Sequence, residues 1–177
     1  MAKPFPRPTD WPKTVWVDDQ HRAGRRSRKY QLGVMALGFW DVGPFDNDDA
    51  ADFAGDLDAV AEDVRIEMVG RVLDRVVTAN DDVDRGIPKA VAAAALIAAQ
   101  CPGGEAACPV YGPSTPMPQF PNSLKGLAVD ALDNVLAASS WRAVEWNDAA
   151  KGKQWRRNII ALRNVLDPPQ RETLFAT

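Results

Sequence analysis

The segment from residue 123 to residue 138 constrains the fold most, because its apolar residues repeat with the period of an α-helix. They follow one another at spacings of three and four: Leu124, Leu127, Ala128, Ala131, Leu132, Val135 and Leu136. The charged residues Asp130 and Asp133 lie off this stripe, which is typical of a helix with one face in a protein core. Burial of each leucine should contribute about 1.5–3 kcal/mol. We therefore predict a core helix over 123–138.

The same period, together with capping and breaking residues, predicts the remaining helices. We expect them over about 48–61, 64–79 and 88–100, then a short one bearing Trp141, Val144 and Trp146, and a last one over 153–166. Lys151-Gly152 should separate the last two, and Pro168-Pro169 should end the last. No long strand pattern appears, although 38–41 could be extended. The predicted fold class is mainly all-α, a single compact domain of five to six helices.

A long connection precedes the clearest helix. Residues 101–122 hold six prolines and three glycines and exceed the usual length of a loop between helices. Two interpretations remain open for this Pro-rich loop: an ordered functional loop or a mobile one.

The N-terminal segment differs from the rest of the chain in charge. Residues 1–34 hold eight Lys or Arg and three Asp, a net charge of +5, which leaves −8 for the remainder. The segment also shows no helical or strand period, so it cannot bury enough apolar surface to offset its ordering entropy. We predict a disordered basic arm over 1–37, a helical domain over 38–167 and a loose C-terminal tail over 168–177.

Composition limits the cofactors and partners. No apolar run reaches the ~20 residues that a bilayer span requires, so no membrane association is expected. The two cysteines, Cys101 and Cys108, cannot form a four-ligand zinc site with the single His21 of the arm. Nucleic-acid binding is not expected beyond a weak contribution of the basic run 22–29. We expect a cytoplasmic protein with no cofactor.

The segment Gly-Phe-Trp-Asp-Val-Gly-Pro-Phe-Asp-Asn-Asp (38–48) admits two interpretations. Asp46, Asp48 and Asp49 could hold a hard cation through oxygen ligands, although the glycine and glutamate of an EF-hand loop are missing. Alternatively, Gly43-Pro44 forms a turn, Phe45 packs onto the next helix, and Asn47 or Asp48 caps it. We favour the second interpretation, because common capping chemistry accounts for every residue type present.

This opening segment resembles the start of the bacterial domain-of-unknown-function family 4259, whose members typically begin with G-x-W-x-x-G-P-F-x-N-D. Two further landmarks look like those of the family: the alanine helix at 92–99, and the segment 140–146 followed by Trp155 and Leu162. The resemblance covers about 38–166. It implies a small helical bacterial protein and no particular activity.

Two positions depart from the family pattern. The family helix usually has a glutamate where this chain has Ala95, and its last motif usually has an acidic residue where this chain has Trp141. We therefore expect no polar role for either position. Members rarely carry an arm ahead of the motif, so the resemblance favours Met35 as the natural start.

The remaining residues favour binding over catalysis. Nucleophilic catalysis needs a rigidly held histidine, and His21 lies in the arm, so we assign no catalytic residue. We expect a non-enzymatic protein-interaction domain of the inhibitor or immunity type, with an acidic face for a basic protein partner. The candidate contact residues are Trp40, Phe45, Asn47, Asp48, Asp52 and Asp56. The alternative is a metal-dependent hydrolase using Asp46, Asp48 and Asp49.

Overall fold

The computed structural model describes residues 39–78, 86–107, 110–137 and 149–169, all within one compact unit that spans 36–177. These residues form five helices: α1 Asp48–Asp58, α2 Glu62–Thr78, α3 Ile87–Ala98, α4 Asn122–Ala137 and α5 Ala149–Leu166. The only β-pairing among the described ranges is one isolated bridge. The all-α prediction is confirmed.

Helix α3 forms the centre of the bundle. It packs against α1, α2, α4 and α5, and eleven of its twelve residues are buried, Lys89 being the exception. Six of the buried residues are alanines, whose small side chains allow several helices to approach one axis closely. The alanine run therefore has a packing explanation that needs no cofactor or membrane.

The apolar stripe of α4 faces this core as predicted. Leu124, Ala128, Ala131, Leu132 and Val135 are buried, and Leu127 and Leu136 pack against the cluster while half-buried. The helix contacts α2, α3 and α5. These contacts account for the apolar stripe along one face of the helix.

The predicted break at Lys151-Gly152 is wrong. Helix α5 begins at Ala149 and runs through Gly152 without interruption. Glycine costs about 1 kcal/mol relative to alanine in a helix, and the burial of Trp155, Ile159 and Leu166 along the same helix outweighs that cost. The predicted short helix around Trp141, Val144 and Trp146 lies outside the described residues.

Helix α1 ends three residues earlier than predicted. The Arg65 side chain donates from Nε to the carbonyls of Leu57 and Val60, at 2.9 and 3.2 Å. These bonds add a side-chain donor from the next helix to the carbonyls at the C-terminal end of α1, where the intrahelical hydrogen bonds stop.

Several hydrogen bonds attach the Pro-rich loop to the helices. The Gln100 side chain donates to the carbonyl of Pro118 and accepts from the N–H of Phe120, at 2.7 and 2.9 Å. Arg65 Nη1 donates to the carbonyl of Pro116 at 3.2 Å. Together with the contacts of Asp58 described below, they favour the ordered interpretation for residues 110–121.

Among the described helices, none combines the length and the apolarity that crossing a membrane requires.

Candidate functional site

The opening motif closes on itself into a small loop. An antiparallel bridge joins Phe39 to Asn47, and the Trp40 N–H donates to the carbonyl of Asp46 at 3.1 Å. The Asp46 carboxylate accepts the Gly43 N–H at 2.9 Å, and a Cβ at Gly43 would clash with that carboxylate. A side chain at position 43 would therefore require the Asp46 carboxylate to move from this position.

Asn47 is the N-cap of α1. Its Oδ1 accepts the N–H of Ala50 at 2.8 Å, and its backbone is extended, with φ −155°. Asn47 is only 3% exposed and Phe45 is buried in the core. Both side chains therefore pack inside the domain.

The aspartates of the motif serve separate purposes. Asp46 closes the turn, whereas Asp48 and Asp49 are exposed in the first turn of α1, where negative charge is favourable. No group of three or more His, Cys, Asp or Glu side chains suited to a metal ion occurs in the part of the chain that the structure describes. The three candidate metal ligands are therefore not brought together.

Side chains of helix α5 form polar contacts with the backbone of the motif loop. Asn158 Nδ2 donates to the carbonyl of Val42 at 3.0 Å. Lys151 Nζ lies 3.5 Å from the carbonyl of Trp40 and 4.0 Å from the Asp41 carboxylate. Neither Lys151 nor Asn158 was a candidate from the sequence, because nothing in the local pattern indicates a contact more than 100 residues away.

Trp40 forms an aromatic contact with the Pro-rich loop. Its ring centroid lies 5.0 Å from that of Tyr111, with the planes tilted by 58°. Tyr111 is 41% exposed and its neighbour Val110 is 72% exposed. The Trp40 Nε1 is buried and has no hydrogen-bond partner among the described residues. The sequence indicated Trp40 but gave no signal for Val110 or Tyr111.

The loop then follows α1 to its C-terminal end. The Asp58 carboxylate accepts the N–H and hydroxyl of Ser114 at 2.8 and 2.7 Å, and the N–H of Thr115 at 2.8 Å. Hydrogen bonds from Ser114, and then from Thr115, hold the pKa of Asp58 well below its ordinary value of 3.8. With Tyr111 at the motif and Ser114 at Asp58, this part of the loop runs beside α1.

The outward side of α1 carries a row of carboxylates, here called the acidic face: Asp48, Asp49, Asp52 and Asp56. All four are exposed, and no ion pair to any of them occurs in the described ranges. Residues 41–63 contain nine acidic residues and no basic one. We refer to the acidic face and the edge of Trp40, Val110 and Tyr111 jointly as the acidic–aromatic surface.

A family model for a domain of unknown function, DUF4259, matches residues 38–158. This chain belongs to that family. The match spans the opening motif, α1 to α4 and the first half of α5, so it includes the whole acidic–aromatic surface. No curated protein and no solved structure matches the chain.

The landmarks that suggested DUF4259 meet at a groove of about 510 Å³. The opening motif contributes Gly43, Pro44 and Phe45, the alanine helix contributes Ala95 and Ala98, and α5 contributes Leu162. Loop residues 103–107 complete the walls. Ala95, where the family usually has glutamate, thus lines this groove.

Proposed function

We propose that this protein is a non-enzymatic protein-interaction domain of the inhibitor or immunity type. Its ligand is a basic protein, bound at the acidic–aromatic surface. The observation that carries the proposal is the exposed aromatic edge that Tyr111 forms with Trp40, next to the start of the helix that bears the unpaired carboxylates. We also propose that it acts in the bacterial cytoplasm, the setting that its family resemblance and its two cysteines favour.

The two parts of the surface would contribute in different ways. Exposed ion pairs stabilise a complex by only about 0–1 kcal/mol each, so the acidic face mainly steers a basic partner and raises the association rate. Tyrosine and tryptophan supply most of the affinity in many interfaces, because they bury a large area at little conformational cost. Tyr111 is therefore the expected anchor, and Asp48, Asp52 and Asp56 the steering groups.

The surface is also held in place before any partner arrives. Asp58 fixes Ser114 and Thr115, Arg65 fixes Pro116, and Gln100 fixes Pro118. An ordered loop pays less of the entropy cost of association than a mobile loop does. This favours recognition through the Pro-rich loop over a role as a simple connection.

Capture from a lysate of the source organism tests the proposal. The tagged full chain should retain a basic protein at low salt and release it at high salt. The variant Asp52→Lys/Asp56→Lys should lose that protein, and Tyr111→Ala should retain less of it. The matched control Glu105→Lys/Asp130→Lys, with the same change in net charge away from α1, should retain it.

Two results would overturn the proposal. One is that no protein is captured in a salt-sensitive manner. The other is that the control loses the partner to the same extent as the α1 variant, which would mean that net charge alone matters.

A further inference from the structure

The outward side of α5 carries a stripe of exposed residues that no other described element covers. Lys153, Arg157, Ile160 and Asn164 follow one another at spacings of four, three and four residues, and all are exposed. Ile160, at 40% exposure, is one of three exposed large apolar residues among those described. Helix α5 contains five basic residues and no acidic one. We call these four positions the α5 stripe.

The two cations of this stripe have no carboxylate partner in the described ranges. The other basic residues of α5 are engaged within the chain: Lys151 near Asp41, Arg156 with the carbonyl of Leu136, and Arg163 with Asp133. Among the described residues, Arg157 donates a hydrogen bond only to the neutral Gln154 on its own helix, and Lys153 forms no hydrogen bond or ion pair. The charge of the α5 stripe is thus available to an external carboxylate.

Helix α1 presents a matching stripe of opposite charge. Asp48, Asp52, Gly55 and Ala59 have the same spacings of four, three and four residues, and all are exposed. A Cβ built at Gly55 would meet nothing within 4 Å, so this point of the helix surface is open and flat. We call these positions the α1 stripe.

We propose that copies of this chain associate by docking the α5 stripe of one copy on the α1 stripe of another. Aligned in parallel, the stripes set Lys153 opposite Asp48, Arg157 opposite Asp52 and Ile160 over Gly55. The occupant is a second copy because charge, length and spacing all correspond. The one large apolar side chain also falls where the facing helix has no side chain to obstruct it.

This association goes beyond the proposed function, because it requires α5 and no foreign protein. It uses the same acidic face, so a docked copy and a foreign basic partner would compete for α1. The interface is dominated by exposed charges, so the association should be weak and sensitive to salt. The Debye screening length shortens from about 10 Å at 0.1 M to about 3 Å at 1 M salt, which weakens the attraction between such charges.

Sedimentation velocity on the full chain tests the association. At low ionic strength the average mass should rise with protein concentration, and in high salt it should return to that of the monomer. A chain that stays monomeric at every concentration in low salt overturns the proposal.

Charge reversal tests which faces meet. Lys153→Glu/Arg157→Glu and Asp48→Lys/Asp52→Lys should each be monomeric, and an equimolar mixture of the two should associate again. The matched control Arg75→Glu/Lys125→Glu, which changes the net charge as much as the first variant, should associate as the wild type does. Equal loss of association in this control contradicts the assignment to the α5 stripe.

Two variants without charge change test the apolar contact. Ile160→Ser removes the inserted side chain, and Gly55→Gln fills the open position; both should weaken association by tenfold or more. Gly55→Gln should also raise the melting temperature, because glycine is a poor helix former, so its loss of association cannot result from unfolding. Unchanged association in both variants overturns the proposed contact.

The basic run 22–29 is a second cationic segment of the sequence, so its charge needs its own control. The variant Arg25→Gln/Arg26→Gln/Arg28→Gln should therefore leave self-association intact, and its loss would overturn the role of α5. Capture of a foreign partner should persist in Lys153→Glu/Arg157→Glu. Loss of self-association with retained capture would thus distinguish the two proposals.

Discussion

The carboxylate of Asp58, at the end of α1, accepts hydrogen bonds from both the backbone N–H and the hydroxyl of Ser114, 56 residues later in the chain. The N–H of Thr115 adds a third bond. These bonds attach the Pro-rich loop to the helix that bears the acidic face. Because Tyr111 precedes Ser114 by only three residues, the attachment also keeps the exposed aromatic ring beside α1.

Replacement of Asp58 should weaken this attachment in a pH-dependent way. Asp58→Asn removes the charge that strengthens three partly exposed hydrogen bonds, so we expect a loss of about 1–2 kcal/mol in the free energy of unfolding at neutral pH. The pKa of Asp58 is lowered in the folded protein. The stabilisation is therefore complete above about pH 4 and declines as the pH falls towards the folded-state pKa.

Chemical denaturation of both proteins from neutral pH to pH 3 measures this difference. The two stability curves should run parallel above about pH 4 and converge below it. A gap that stays constant to pH 3 would contradict a charge-assisted role for Asp58.

The N-cap of α1 can be tested separately from any binding role. Asn47→Ala removes the oxygen that accepts the Ala50 N–H and leaves that donor unsatisfied next to the core. We expect a loss of about 1–2 kcal/mol in stability. Asn47→Asp, which keeps an acceptor and adds a favourable charge at the helix N-terminus, should retain most of it. Thermal melts of the wild type and the two variants measure these differences. Equal melting temperatures of Asn47→Ala and the wild type would contradict a stabilising role of Asn47 as the N-cap.

Substitution of a residue at the centre of the apolar stripe of α4 should strongly destabilise the fold. Leu132 is fully buried, so Leu132→Asp should abolish folding, and Leu132→Ala should cost about 2–5 kcal/mol. Asp130→Ala, on the exposed side of the same helix, should change stability by less than about 0.5 kcal/mol. Circular dichroism and melting curves measure both; an unchanged Leu132→Asp spectrum would show that α4 does not form the core.

Two glycines should respond in opposite directions to alanine. A Cβ at Gly104 would clash with the backbone carbonyl of Ala98, so Gly104→Ala should displace the loop from the end of α3 and cost about 1–3 kcal/mol. A Cβ at Gly126, inside α4, would meet nothing within 4 Å. Gly126→Ala should therefore stabilise the protein by about 0.5–1 kcal/mol. Equal effects in denaturant titrations would contradict the close packing at Gly104.

The helices could be predicted because their signals are local. The spacing of Leu124, Ala128 and Leu132 predicts one face of α4 directly, and Asn47 ahead of an acidic turn predicts the start of α1. The helix continues through Gly152 because the burial of the apolar residues that follow it outweighs the weak local preference of glycine against helix. Tertiary packing regularly overrides propensities of this size.

Only the acidic part of the candidate surface could be predicted from the sequence. The carboxylates of Asp48, Asp52 and Asp56 follow from helical spacing, so the sequence alone indicates an acidic face. The contact of Tyr111 with Trp40 and that of Ser114 with Asp58 join segments more than 50 residues apart. No local period carries such pairings, and the loop that contributes Tyr111 has no repeat that would indicate its course.

The most direct measurement of the central claim is the affinity of the captured partner for the wild type and for two charge variants, at low and high salt. We predict that Asp52→Lys/Asp56→Lys weakens binding at low salt by tenfold or more, which corresponds to about 1.4 kcal/mol, and that Glu105→Lys/Asp130→Lys binds nearly as the wild type does. The difference between the wild type and the α1 variant should shrink in high salt. Equal affinities of all three proteins at low salt would contradict recognition through the acidic face.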